Sequence, residues 1–119
     1  MSQTRVTVDE VDMDEDLKVY LNDQPFTGEV VEHGPDGVLV GLTTYSNGVE
    51  DGPSLAWWPD GTPRVHGEVL NGLAIGMHEK RHPNGTLAAS DELDGQGHQL
   101  SRKRWDENGH LLEDKDYHP

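Results

Sequence analysis

Apolar side chains return along this chain in two columns spaced 24 residues apart: Leu39, Pro63, Leu87 and Leu111 form one, and Tyr45, Val69, Leu93 and Tyr117 the other. Six residues separate the columns within each unit, an even number, so on an unbroken strand both would face one side of a sheet. Glycines keep the same interval. Gly37, Gly61, Gly85 and Gly109 each end a turn, after Pro-Asp, Pro-Asp, Pro-Asn and Glu-Asn respectively; Gly28, Gly52 and Gly76 make a second series, and Asn47-Gly48 and Asn71-Gly72 a third. Proline presets the first corner of such a turn, Asp or Asn tolerates the second, and glycine takes the left-handed conformation, often as a bulge. The pattern predicts an all-β chain, a single-layer antiparallel sheet of stacked β-hairpins, with repeats over approximately 28–51, 52–75, 76–99 and 100–119 inside a repeat domain spanning 17–119. No segment holds a 3.6-residue apolar stripe, so helix has little part in it.

Ahead of the repeats, residues 1–16 carry Asp9, Glu10, Asp12, Asp14, Glu15 and Asp16, interrupted by Val6, Val8, Val11 and Met13. This segment reads as an acidic amino-terminal arm or a short edge strand, and the density of like charge favours the arm over 9–16. From Leu17 the alternation Leu17, Val19, Leu21 resumes, and Asn22-Asp23 turns the chain. The acidic segment and the charged tail Glu113-Asp114-Lys115-Asp116 would both discourage pairing between sheet edges.

Composition narrows the function. The 119 residues are 32% hydrophobic with a single phenylalanine, Phe26, which suits a thin sheet better than a thick core. A net charge of −14 repels phosphate backbones and anionic lipid, so neither nucleic acid nor a membrane is an expected partner. A basic protein surface or a cationic ligand is the electrostatic complement. With no cysteine, disulfides, thiolate nucleophiles and Cys-based zinc sites are excluded. The first ten residues lack the basic and apolar regions of a secretory signal, which leads to the expectation of a cytoplasmic protein.

Taken together, Phe26-Thr27-Gly28-Glu29-Val30, Asn47-Gly48, Asp51-Gly52-Pro53, Trp57-Trp58-Pro59-Asp60-Gly61, Asn71-Gly72, Gly76 and His82-Pro83-Asn84-Gly85 resemble the MORN-repeat variant of bacterial YwqK-type antitoxin proteins, over roughly residues 20–112. Unit four departs from the pattern, with Leu100 for the leading glycine and Glu107 for the proline, as a capping repeat would. The resemblance implies a single-layer sheet of hairpins and an antitoxin or immunity role; no catalytic residue comes with it.

Two candidate sites follow from the columns. His33, Trp57, Arg81 and Trp105 occupy one position in successive units, with Glu79 on the same face as Arg81 and Trp58 beside Trp57. Such a row is an aromatic platform flanked by a cation and an imidazole, suited to a partner's arginine or a planar group, or else core beneath a neighbouring layer or a twofold mate. The expected function is a non-catalytic module that binds a protein with a basic surface, such as a toxin, with a homodimer as a further possibility. The alternative is a small cofactor-free enzyme or small-molecule binder of lyase, cyclase or isomerase type, using His66 and Asp91 as an imidazole–carboxylate pair in a pocket shared with His33 and Trp57. No metal or other cofactor is expected: His78 and His82, four residues apart, would lie about 13 Å apart on a strand.

Overall fold

The computed structural model describes residues 4–118. Met1–Gln3 of the expected arm and Pro119 of the expected repeat domain lie outside the described residues. The chain runs through β1 (Arg5–Thr7), one 3-10 turn (Val8–Glu10), β2 (Asp12–Met13), β3 (Val19–Leu21), β4 (Gln24–Pro25), β5 (Gly28–His33), β6 (Leu39–Ser46), β7 (Val49–Trp57), β8 (Pro63–Leu70), β9 (Leu73–Arg81), β10 (Leu87–Leu93), β11 (Gln99–Trp105) and β12 (Leu111–Asp116). From β5 to β12 each strand pairs antiparallel with the next, and β1 adds to the free side of β5 in parallel. The fold is an all-β, single-layer sheet of successive hairpins. At its amino-terminal end β2, β3 and β4 make a small second sheet.

Two kinds of turn build the hairpins, and both follow from local chemistry. At Asn47-Gly48 and Asn71-Gly72 both residues have positive φ, the requirement of the tight hairpin turn whose twist matches that of its strands. At the opposite end of the sheet the turns span five residues, with the first N–H donating to the carbonyl of the fifth, as in Trp58 to Thr62 (2.8 Å) and His82 to Thr86 (2.8 Å). Unit three has Gly95-Gln96 where the tight turn would need Asn-Gly. It uses five-residue turns at both of its ends, His82–Thr86 and Asp94–His98.

Units are joined by hydrogen bonds that repeat with the sequence. Gly48 donates its N–H to the Phe26 carbonyl (2.8 Å) and Asn47 to Thr27 Oγ1 (2.9 Å); one unit on, Gly72 donates to the Glu50 carbonyl (2.7 Å) and Asn71 to Asp51 Oδ1 (3.0 Å). The next step would need a side-chain acceptor at position 75, which is Ile75, and the ladder stops there.

The Gly28, Gly52 and Gly76 series stands directly opposite Tyr45, Val69 and Leu93. Gly28 illustrates the need for glycine: φ is 145°, and a Cβ there would collide with the backbone carbonyl oxygen of Thr4. One expectation fails. After each of the four Gly37-type turns the register skips one residue, Val40, Arg64, Ala88 or Leu112, so that Gly41 pairs with Glu32 but Leu39 with His33. That extra residue reverses the alternation, and the Leu39 column projects from the face opposite the Tyr45 column instead of sharing it.

The buried residues show what the small sheet does. Val6, Val19, Phe26, Val30 and Tyr45 form the core cluster, with Val11 and Leu21 packed against it. Val19 is 1% exposed. The small sheet therefore covers the face of β5 and β6 that carries Val30 and Tyr45, hereafter the core face. Val19 also donates to the Gly48 carbonyl (2.9 Å), which ties the cover to the first tight turn. Residues 4–16 thus contribute strands and a capped turn: Glu10 Oε1 accepts from both the N–H (3.0 Å) and the hydroxyl (3.1 Å) of Thr7.

Candidate functional site

Each of His33, Trp57, Arg81 and Trp105 ends the first strand of a hairpin, opposite Leu39, Pro63, Leu87 and Leu111 respectively. They occupy alternate strands of one sheet, so neighbours in the row stand about 10 Å apart, two strand spacings. By strand alternation the row lies on the open face, away from Val30 and Tyr45. Trp57, Arg81 and Trp105 are half-buried and His33 is exposed. Arg81 is fixed by its own turn, donating from Nη1 to the Gly85 carbonyl at 3.1 Å. Glu79, two residues before it, shares the face and pairs across the sheet with His66 and Ser90.

Trp58 has a different task. Its indole N–H donates to the Arg81 carbonyl at 3.2 Å, and the Arg64 guanidinium lies 5.4 Å from its ring centre, a cation–π contact. His82 repeats the link one unit on, with Nε2 2.8 Å from the Trp105 carbonyl. The signal for His82 was present in the sequence, since it is the 24-residue counterpart of Trp58, but a histidine and a tryptophan do not look alike until their shared ring N–H is considered.

His66 and Asp91 do not come together. His66 shares a register line with Glu79 and Ser90, so Asp91, one residue beyond Ser90, projects from the opposite face of the sheet. Asp91 is instead held by Gln99 Nε2 (2.7 Å), Arg104 Nη1 (3.3 Å) and Arg102 Nε (3.5 Å). Arg102 Nε also lies 3.7 Å from Glu113 Oε1, and those two buried atoms have no hydrogen bond. His78 packs its ring over Gly67, with Nε2 2.9 Å from the Glu68 carbonyl. Among the described residues no three His, Asp or Glu side chains are grouped closely enough to hold a metal ion, and no helix is long and apolar enough to cross a membrane.

Several acids titrate away from their ordinary values, each for a local reason. Asp94 and Asp106 are held below the usual carboxylate range chiefly by the backbone N–H of His98 and His110, and Asp60 by the hydroxyl and N–H of Thr62. Asp116 is lowered by the N–H and ring of His118, whose own imidazole is raised by that bond. Burial pushes Glu50 up, opposed by the nearby His78. All but Glu50 serve turns or chain ends, so these shifts mark structure and not a reaction centre.

An apolar cavity of about 170 Å³ opens between the small sheet and the core face, bounded by Val8, Val11, Met13, Val19, Val30, Glu32, Gly41, Thr43 and Tyr45. None of its lining residues is His33, Trp57, His66 or Asp91.

No protein-family model matches the chain, and no curated protein matches it by sequence. The crystal structure of accessory secretory protein 1,2 and 3 in Streptococcus pneumoniae contains a chain that is similar over 93% of this one at 19% identity, with a TM-score of 0.30. This chain spans 21% of that chain's length, and at that score the likeness bears on neither fold nor function.

Proposed function

We propose that this chain is a non-catalytic protein-binding module that holds a partner with a basic surface against the open face of its sheet. The observation that carries the reading is the row of Trp57, Arg81 and Trp105, half-buried on the face opposite the one that the small sheet covers. Tryptophan anchors interfaces because it buries large area at small entropic cost, and Arg81, already held by its own turn, adds an oriented cation. The charge of −14 complements a basic partner and speeds its approach. In the manner of the YwqK-type proteins that the repeats resemble, inhibition would follow from occlusion of the partner's basic patch. A twofold mate is the other occupant this face would admit.

The test compares the wild-type chain with a Trp57→Ala/Trp105→Ala variant, each immobilised and exposed to lysate of the native host. A stoichiometric basic protein retained by the wild type and lost by more than tenfold with the variant, at an unchanged thermal midpoint, is the expected outcome. Equal retention by both chains would place the interface elsewhere, and recovery of no protein at all would sink the reading.

A further inference from the structure

The cavity beneath the small sheet lies on the face opposite the tryptophan row, and its lining combines two kinds of surface. Val11, Val19 and Val30 supply an apolar wall, while Glu32, Thr43 and Tyr45 bring polar groups to the same space. Tyr45 is 8% exposed, and its hydroxyl makes no hydrogen bond with another described residue, so it is free to meet solvent or a ligand. Glu32, exposed and lining the cavity, has no cationic partner among the described residues. An apolar hollow with a few convergent polar groups is the ordinary form of a small-molecule site.

We propose that this cavity binds a small organic cation, a protonated primary amine carrying an aryl or short branched alkyl tail. Size sets the tail: a dry cavity of about 150 Å³ accommodates a benzene ring in other proteins, and this one measures about 170 Å³. Charge sets the head. Residues 1–60 hold thirteen acidic and two basic side chains, so the field around the mouth concentrates cations and repels carboxylates. The ammonium group meets the Glu32 carboxylate, and the ring packs on the valines. Gly41 leaves the floor open, since a Cβ there would meet only the Glu32 side chain, 3.5 Å away at Cβ.

Benzylamine is the probe, followed by methyl NMR of Val11, Val19 and Val30 in the intact chain, with benzyl alcohol and benzoate as neutral and anionic controls. Saturable shifts are expected with a Kd in the millimolar range, as suits a ligand of about eight heavy atoms. Glu32→Gln should weaken benzylamine by about fivefold, the scale of one solvent-exposed charge contact, and leave benzyl alcohol unchanged. Gly41→Val should fill the floor and abolish binding of both, with Val11→Leu as a second filler should the first variant fail to fold. Shifts that never saturate, benzoate binding as tightly as the amine, or full binding by a folded filled variant would each overturn the proposal.

Discussion

The two halves of the molecule reach similar backbones by different means. In residues 4–60 the small sheet lies on the core face, and seven of the nine buried apolar residues are in that half: Val6, Val19, Phe26, Val30 and Tyr45 in the core cluster, and Val31 and Leu42 on the other face. Beyond residue 60 the buried apolar side chains among the described residues are Val69 and Ala89. That half relies on the Asp91–Arg102–Arg104 ion pairs, on Asp-capped turns, and on the ring-to-carbonyl links of Trp58 and His82. Charge divides the same way: thirteen acids against two bases in residues 1–60, ten against seven in 61–119. Hydrophobic cover and paired charge are therefore alternative ways of holding a one-layer sheet, and this chain uses one at each end.

The largest expected break comes from Phe26→Ala, which removes the single phenylalanine from the covered core and should cost about 3–5 kcal/mol in urea unfolding. Truncating Leu93, half-buried in the uncovered half, should cost about 1–2 kcal/mol. Equal losses would erase the contrast. Leu17→Gly should instead stabilise by about 1 kcal/mol. Leu17 has φ of 64° and is 70% exposed, in a turn where Asp14 accepts from the N–H groups of Asp16 and Lys18. The matching turns at Asp94 and Asp106 have Gly97 and Gly109 at that position. Asp91→Asn should cost the uncovered half about 1 kcal/mol, and 1 M salt should abolish the difference.

Acid sharpens the comparison further. Asp94 and Asp106 have folded pKa values below 3.8, so their stabilisation is present above that value and is lost as pH falls through the folded values. Thermal midpoints of an Asp94→Asn/Asp106→Asn variant should fall less steeply than wild type between about pH 4 and pH 2. Glu50 has the opposite sign. Its folded pKa lies above 4.5, so its cost is present above the folded value and absent below the unfolded one. Glu50→Gln should raise the midpoint at pH 7, and by less at pH 4.

Much of the architecture could be read from spacing alone. The glycine series, the tight Asn-Gly turns and the row from His33 to Trp105 are local signals, each set by a conformation that few residues adopt. Two things were hidden. The bulges at Val40, Arg64, Ala88 and Leu112 carry no residue in common, so the counting of alternate positions went one step wrong after each turn. The small sheet was hidden by composition: Asp14, one of six acids over residues 9–16, accepts hydrogen bonds from Asp16, Lys18 and the Tyr20 hydroxyl and so folds a segment whose charge opposes folding. The pairing of His66 with Asp91 failed for a related reason, since an offset of one residue changes the face.

The bonds from Gly48 to Phe26 and from Gly72 to Glu50 connect only adjacent modules. A duplicated copy of residues 51–74, inserted after Ala74, would find the same donors and acceptors on either side and lengthen the molecule by two strands, about 10 Å. Such a lineage could grow by whole increments, adding one indole to its recognition surface with each, as a ruler gains graduations.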